Sequence, residues 1–119
     1  MAGKKGGRVP QPSDPGDWTL RFLKSSVSDD WDKLCAQEVG AASASYDHMA
    51  KMPRARGARC TRLAGAMESK LVDGKTLERW QFEMTGGGRI FYLLDDDRKI
   101  VWVEALHFGH PKQTEKKRG

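Results

Sequence analysis

Over the first five residues of Trp18-Thr19-Leu20-Arg21-Phe22-Leu23 apolar and polar residues alternate, the two-residue period of a half-buried strand. Ser26 with Asp29 then reads as a capping-box-like helix start, with Asp29 and Asp30 suited to the positive end of the helix. From there to about Met52 the period changes. Trp31, Leu34, Cys35, Val39, Ala42, Tyr46 and Met49 recur at steps of three and four, one face of a helix. Gly40 lies inside this stretch and either breaks it into two helices or weakens one. Pro53 ends it, because the residue before a proline is pushed out of the α region.

The two-residue period returns near Leu77. Trp80, Phe82 and Met84 fall on one face of a strand, with Arg79, Gln81 and Glu83 on the other. Thr85-Gly86-Gly87-Gly88 is a turn, Arg89 to Leu94 a strand apolar enough to be buried on both faces, Asp95 to Lys99 a polar hairpin loop, and Ile100 to Phe108 a third strand. The order is strand, helix or helices, then a three-strand meander. This predicts an α+β fold: an antiparallel-rich sheet of about four strands (β-α-α-β-β-β) with two helices packed on one face. The first strand is expected beside a non-sequential neighbour. Residues 17–112 make a single domain. Residues 1–16, rich in Gly, Pro and Lys, read as a disordered basic arm, and 113–119 as a charged tail.

At 119 residues the chain is sized for one core, and a domain of this length buries roughly two thirds of its unfolded surface. Lys and Arg number 21 against 16 Asp and Glu, a net charge of +5 that favours an anionic polymer as partner. The two cysteines, Cys35 and Cys60, have no metal-ligand spacing; Cys35 lies on the apolar helical stripe and reads as a small buried hydrophobe. Sparse cysteine, no apolar run near ~20 residues and no apolar leader point to the cytoplasm and away from the membrane.

The candidates for chemistry are few. Gly86-Gly87-Gly88 lies between strands and lacks a Walker lysine, so it is a turn and no phosphate loop. Asp95-Asp96-Asp97 lacks the spacing of a calcium loop and reads as solvated; no metal and no cofactor is expected. Of the histidines, His48 reads as a surface residue, His107 shares parity with core positions of its strand, and His110 follows a glycine on a turn. A histidine is the natural general acid or base near neutral pH. Arg89 opens a strand, where it either pairs with an acid such as Glu104 or aims at a phosphate. Arg54, Arg56, Arg59 and Arg62, with no acid between them, form the densest positive segment and are the candidate RNA-binding residues.

Several of these segments, in this order, resemble the RelE/ParE superfamily of bacterial toxins. Arg62-Leu63-Ala64-Gly65 is similar to the family's basic K-L-x-G element. Gly88-Arg89-Ile90-Phe91-Tyr92 is similar to its strand of pattern G-Y-R-hydrophobic-hydrophobic-Y. Ile100 to Lys112 is similar to its last strand and the turn after it. The resemblance spans roughly residues 18–115 and implies a RelE-like fold and a toxin neutralised by a protein antitoxin. In RelE-like members it implies cleavage of mRNA on the ribosome; in ParE-like members, inhibition of DNA gyrase without nuclease chemistry. Arg89 matches the strand arginine that binds the scissile phosphate, His110 falls where some members place a catalytic histidine, and Lys112 lies near a second cationic position that Pro111 also approaches. Gln81 and Glu83 stand where some members carry lysines, and the tyrosine often found after the last strand is missing.

Metal-free RNA cleavage needs a base for the 2′-hydroxyl, cations for the phosphate and an acid for the leaving 5′-oxygen. The expected assignment has Arg89 and Lys112 on the phosphate, Glu83 or His107 as base, and His110 as acid. The alternatives are a gyrase inhibitor, an RNA- or protein-binding domain without toxicity, and an inactive phage-derived relative.

Overall fold

A computed structural model of the chain describes residues 16–57, 59–84 and 87–109. The arm before Gly16, the segment after Gly109 with His110, Pro111 and Lys112, and Thr85 and Gly86 of the expected turn lie outside the described residues.

The elements run β1 (Thr19–Phe22), α1 (Ser25–Gln37), α2 (Val39–Lys51), β2 (Cys60–Arg62), a short 3-10 turn (Gly65–Met67), β3 (Ser69–Val72), β4 (Lys75–Glu83), β5 (Arg89–Asp95) and β6 (Ile100–His107). The architecture is α+β, two helices and one mixed sheet of six strands in the order β1-β6-β5-β4-β2, with β3 also on β4. Six replaces the expected count of about four, because β4 is long enough to carry two short partners end to end. β2 pairs with its Trp80–Phe82 half and β3 with its Lys75–Glu78 half. β1 runs parallel to β6, and every other pairing is antiparallel.

The core lies between the helices and one face of the sheet. Trp80 and Met84, Ile90, Tyr92 and Leu94, and Val101, Val103 and Leu106 meet Val27, Leu34, Ala42 and Met49 of the helices. The helical stretch breaks at Glu38 (φ −139°, ψ 67°), two residues before Gly40. The break restarts the helical phase, so a single stripe does not run through both helices. α2 buries Ala42, Ser45, Met49 and Ala50, while Val39, Tyr46 and Cys35 are exposed, in contrast to the buried Cys35 expected from the stripe. Nor does the Ser26–Asp29 box form. α1 starts at Ser25 after an extended Lys24 with no side-chain cap.

At the core's centre, the fully buried Tyr92 hydroxyl donates to the Pro53 carbonyl at 2.6 Å, just past the end of α2. Its oxygen also meets His48 Nε2 at 3.1 Å and Cys60 Sγ at 3.4 Å. With Tyr92's one proton on Pro53, His48 is the donor in its own contact and carries its proton on Nε2. His48 therefore sits in the interface, stacked on Phe82 at 4.4 Å, and not on the surface as its neighbours suggested. Burial lowers the His48 pKa and also raises that of the Cys60 thiol.

The His48 shift sets a pH dependence. Its folded pKa lies below the ordinary 6.5, so between those two values the unfolded chain binds more protons than the folded one. Stability should therefore fall as pH drops from about 6.5 through that window. His48→Gln, which keeps an amide donor near Tyr92, should flatten the slope in urea melts taken from pH 7 to 5. An unchanged slope would remove His48 as its source.

Candidate functional site on the open sheet face

Among the described residues, the other face of the sheet carries no helix. Its residues alternate with the core residues of β4, β5 and β6, and the strand registers fix which of them are neighbours. Glu83 of β4 lies opposite Arg89 of β5, and Arg89 opposite His107 of β6. Three of the expected site residues thus form one row across three adjacent strands, with the arginine in the middle. Arg89 and His107 are exposed and Glu83 half-buried. His107 belongs to this open face and not to the core, because an irregularity between β5 and β6 shifts its parity. Tyr92 pairs with Val103 but Phe91 with Ala105, leaving Glu104 as the extra residue.

Glu104 itself is engaged elsewhere on this face. Its carboxylate receives Arg79 in two hydrogen bonds (3.2 and 3.0 Å) and lies 3.4 Å from Lys70, so it is not the partner of Arg89. Among the described residues, no side chain pairs with the Arg89 guanidinium or the Glu83 carboxylate. His107 is held by Phe91, edge to face at 5.3 Å. Gly88, just before Arg89, is where the backbone of this end must pass close to β6: a Cβ there would stand 3.0 Å from the His107 carbonyl and 2.8 Å from Met84 Cε.

The arginines of 54–62 do not form one patch. Arg54 binds Asp96 in two hydrogen bonds (2.9 and 2.8 Å) and Glu78 in a third at 3.1 Å. The Asp96 contact first, then Glu78, raises its already high pKa; the same contact holds the Asp96 carboxyl below its usual range. Arg62 lies 3.8 Å from Glu78, and Arg56 rests over the Trp80 ring at 5.4 Å. Arg59 alone reaches the candidate site, donating to the Glu83 carbonyl at 3.3 Å and carrying no acid partner among the described residues.

The Asp95–Asp97 loop lies at the opposite end of the sheet. Asp95 is buried there, with Lys75 at 3.8 Å and Arg98 at 3.5 Å, and Asp97 binds Lys75 at 2.7 Å. The expectation that these acids are simply solvated holds for none but the exposed faces of Asp96 and Asp97. Among the described residues the two ends therefore differ: at one the acids are paired, at the other Arg59, Arg89 and Glu83 have no oppositely charged partner. Among the described residues, no three His, Cys, Asp or Glu side chains converge as a metal site, and no helix is long and apolar enough to cross a membrane. The chain matches no protein family, no curated protein and no solved structure.

Proposed function

We propose that the chain is the toxin of a type II toxin–antitoxin pair, of RelE-like fold, that cleaves mRNA without a metal ion and does so on the ribosome. The row Glu83–Arg89–His107, with its unpaired central arginine, carries the reading. In-line cleavage of RNA places the attacking 2′-oxygen and the leaving 5′-oxygen on opposite sides of the phosphorus. The row offers a carboxylate on one side of a cation and an imidazole on the other. Strands are ~4.8 Å apart, so the outer two backbones are about 10 Å apart, room for a phosphate with a hydrogen bond on each side.

In this assignment Arg89 holds the phosphate through its planar fork. Glu83 takes the 2′-hydroxyl proton, the 2′-oxygen bonds to phosphorus, and the bond from phosphorus to the 5′-oxygen breaks. Protonated His107 gives its proton to that oxygen, leaving a 2′,3′-cyclic phosphate and a free 5′-hydroxyl. His110 and Lys112, next in sequence after β6, are further candidates for acid and phosphate ligand, and Arg59 for a contact to the RNA backbone. The groove lined by Leu20, Phe22, Trp31, Tyr46 and Val103, with Arg21 and Asp32 also on its wall, is the surface we propose for the antitoxin.

Induced expression, with growth followed and mRNA 5′ ends mapped, tests the reading. Growth arrest with new ends inside reading frames is expected; arrest with intact mRNA would move gyrase ahead as the target. With purified protein and ribosomes programmed with mRNA, Glu83→Gln and His107→Gln should each slow cleavage about 10²- to 10⁴-fold. An RNA whose leaving 5′-oxygen is replaced by sulfur needs no acid, so it should restore cleavage in His107→Gln and not in Glu83→Gln. Rescue of both variants, or of neither, would reject the division of roles.

A further inference from the structure

The next row along the same face is Gln81–Phe91–Ala105. Phe91 follows Arg89 by two residues on β5, about 6.7 Å along the strand, so it lies on the same face beside the proposed phosphate position. Its ring is held at one side by His107, at 79° to the imidazole plane, and not sandwiched between rings. The residue across from it on β6 is Ala105, whose methyl is too small to cover a phenyl ring. On β4 the residue across is Gln81, half-buried, with a carboxamide that has no hydrogen-bond partner among the described residues. Side chains directly opposite on antiparallel strands have Cβ atoms about 5 Å apart. An aromatic face and an unspent amide therefore lie side by side, one step from an unpaired arginine.

We propose that Phe91 and Gln81 form a base-docking subsite for an adenine of single-stranded RNA next to the scissile phosphate. The inference deepens the ribonuclease reading and rests on it. Unstacked RNA bases are recognised by stacking on aromatic side chains and by hydrogen bonds to their edges. A carboxamide carries one acceptor and a donor pair in the arrangement that complements adenine N6 and N7. Guanine shows two acceptors at that edge and leaves the Gln81 oxygen unpaired. Uracil and cytosine stack on a smaller area.

The test uses the full chain and four short uridine-rich RNAs that differ in one central base. All carry 2′-O-methyl sugars, so they bind but are not cleaved. Affinity is read by fluorescence anisotropy, and unmodified copies, presented in the vacant A site of programmed ribosomes, are assayed for cleavage alongside. Wild type should bind the adenine RNA tightest. Phe91→Leu keeps the apolar volume and removes the aromatic face, and should weaken binding roughly 5- to 150-fold. Gln81→Glu, at a half-exposed position with no partner to lose, should move the preference from adenine toward cytosine, whose N4 donates to a carboxylate. Wild-type affinity in Phe91→Leu, or an unchanged base order in Gln81→Glu, overturns the subsite. Cleavage that persists with such results leaves the nuclease standing without it. Conversely, adenine-selective binding that depends on both residues, in a protein that cleaves none of the unmodified RNAs, upholds the subsite and removes the nuclease.

Discussion

Arg89→Ala should reduce RNA cleavage about 10²- to 10³-fold, the effect of deleting one preorganised donor to a charge that develops in the transition state. The same change should release the growth arrest. It should leave the fold intact, because the side chain is exposed and pairs with no described side chain, so the change in stability should stay within ~0.5 kcal/mol. Arg89→Lys separates charge from geometry: a lysine retains the positive charge but lacks the two-pronged fork, and should recover only part of the activity. Growth curves, mapped 5′ ends and a thermal melt on the same three proteins decide the matter. A folded Arg89→Ala protein that arrests growth like wild type would falsify the phosphate role.

The contrast between Arg89 and the other arginines shows what a sequence can and cannot reveal. Arg54, Arg56, Arg59 and Arg62 look like the stronger anionic site because they are close together and no acid interrupts them. Their partners come from far along the chain. Glu78 is 24 residues from Arg54 and Asp96 is 42 residues away, and both are brought in by the β4 and β5 pairings. Local density carries no information about such partners, so only Arg59 stays available beside the site. For Arg89 the sequence offers Glu104 as a partner, yet Glu104 is bound by Arg79, 25 residues away along the chain.

Strand parity of β4 was legible because its core residues are large and its open-face residues polar. His107 was misplaced because a one-residue irregularity inverts parity and leaves no mark in the hydrophobic pattern. β3 had a mark that went unread: Asp73-Gly74, both at positive φ (51° and 81°), is the two-residue hairpin turn that joins it to β4. Glu83, Arg89 and His107 were legible one by one as residue types. That they share a row is a property of register, which follows from the turns and the irregularity and not from spacing along the chain.

Tyr92 carries the second large expectation. It matches the last position of the strand pattern that suggested the family, and its role here is structural. Fully buried, its hydroxyl bonds the carbonyl of Pro53 and meets His48 and Cys60. Tyr92→Phe keeps the ring and removes one oxygen. The Pro53 carbonyl then retains only the Cys60 thiol at 3.7 Å, and the His48 N–H loses its acceptor. Stranding buried polar groups costs about 1–3 kcal/mol, and Tyr92→Ala, which adds a cavity, about 3–5 kcal/mol. Against a typical total of about 5–15 kcal/mol the alanine variant should be close to unfolding at 37 °C. For a domain of this size each kcal/mol lowers Tm by roughly 4–8 °C, so the two variants separate in a thermal melt. The network is also testable by non-additivity. His48→Phe, which keeps a ring against Phe82 but no N–H, and Tyr92→Phe each remove the same hydrogen bond, so the double variant should cost less than the sum of the singles by about 0.5 kcal/mol or more. Strict additivity would mean that the two groups contribute independently and that the packing of the ring alone, without its hydroxyl, fixes the end of α2 against the sheet.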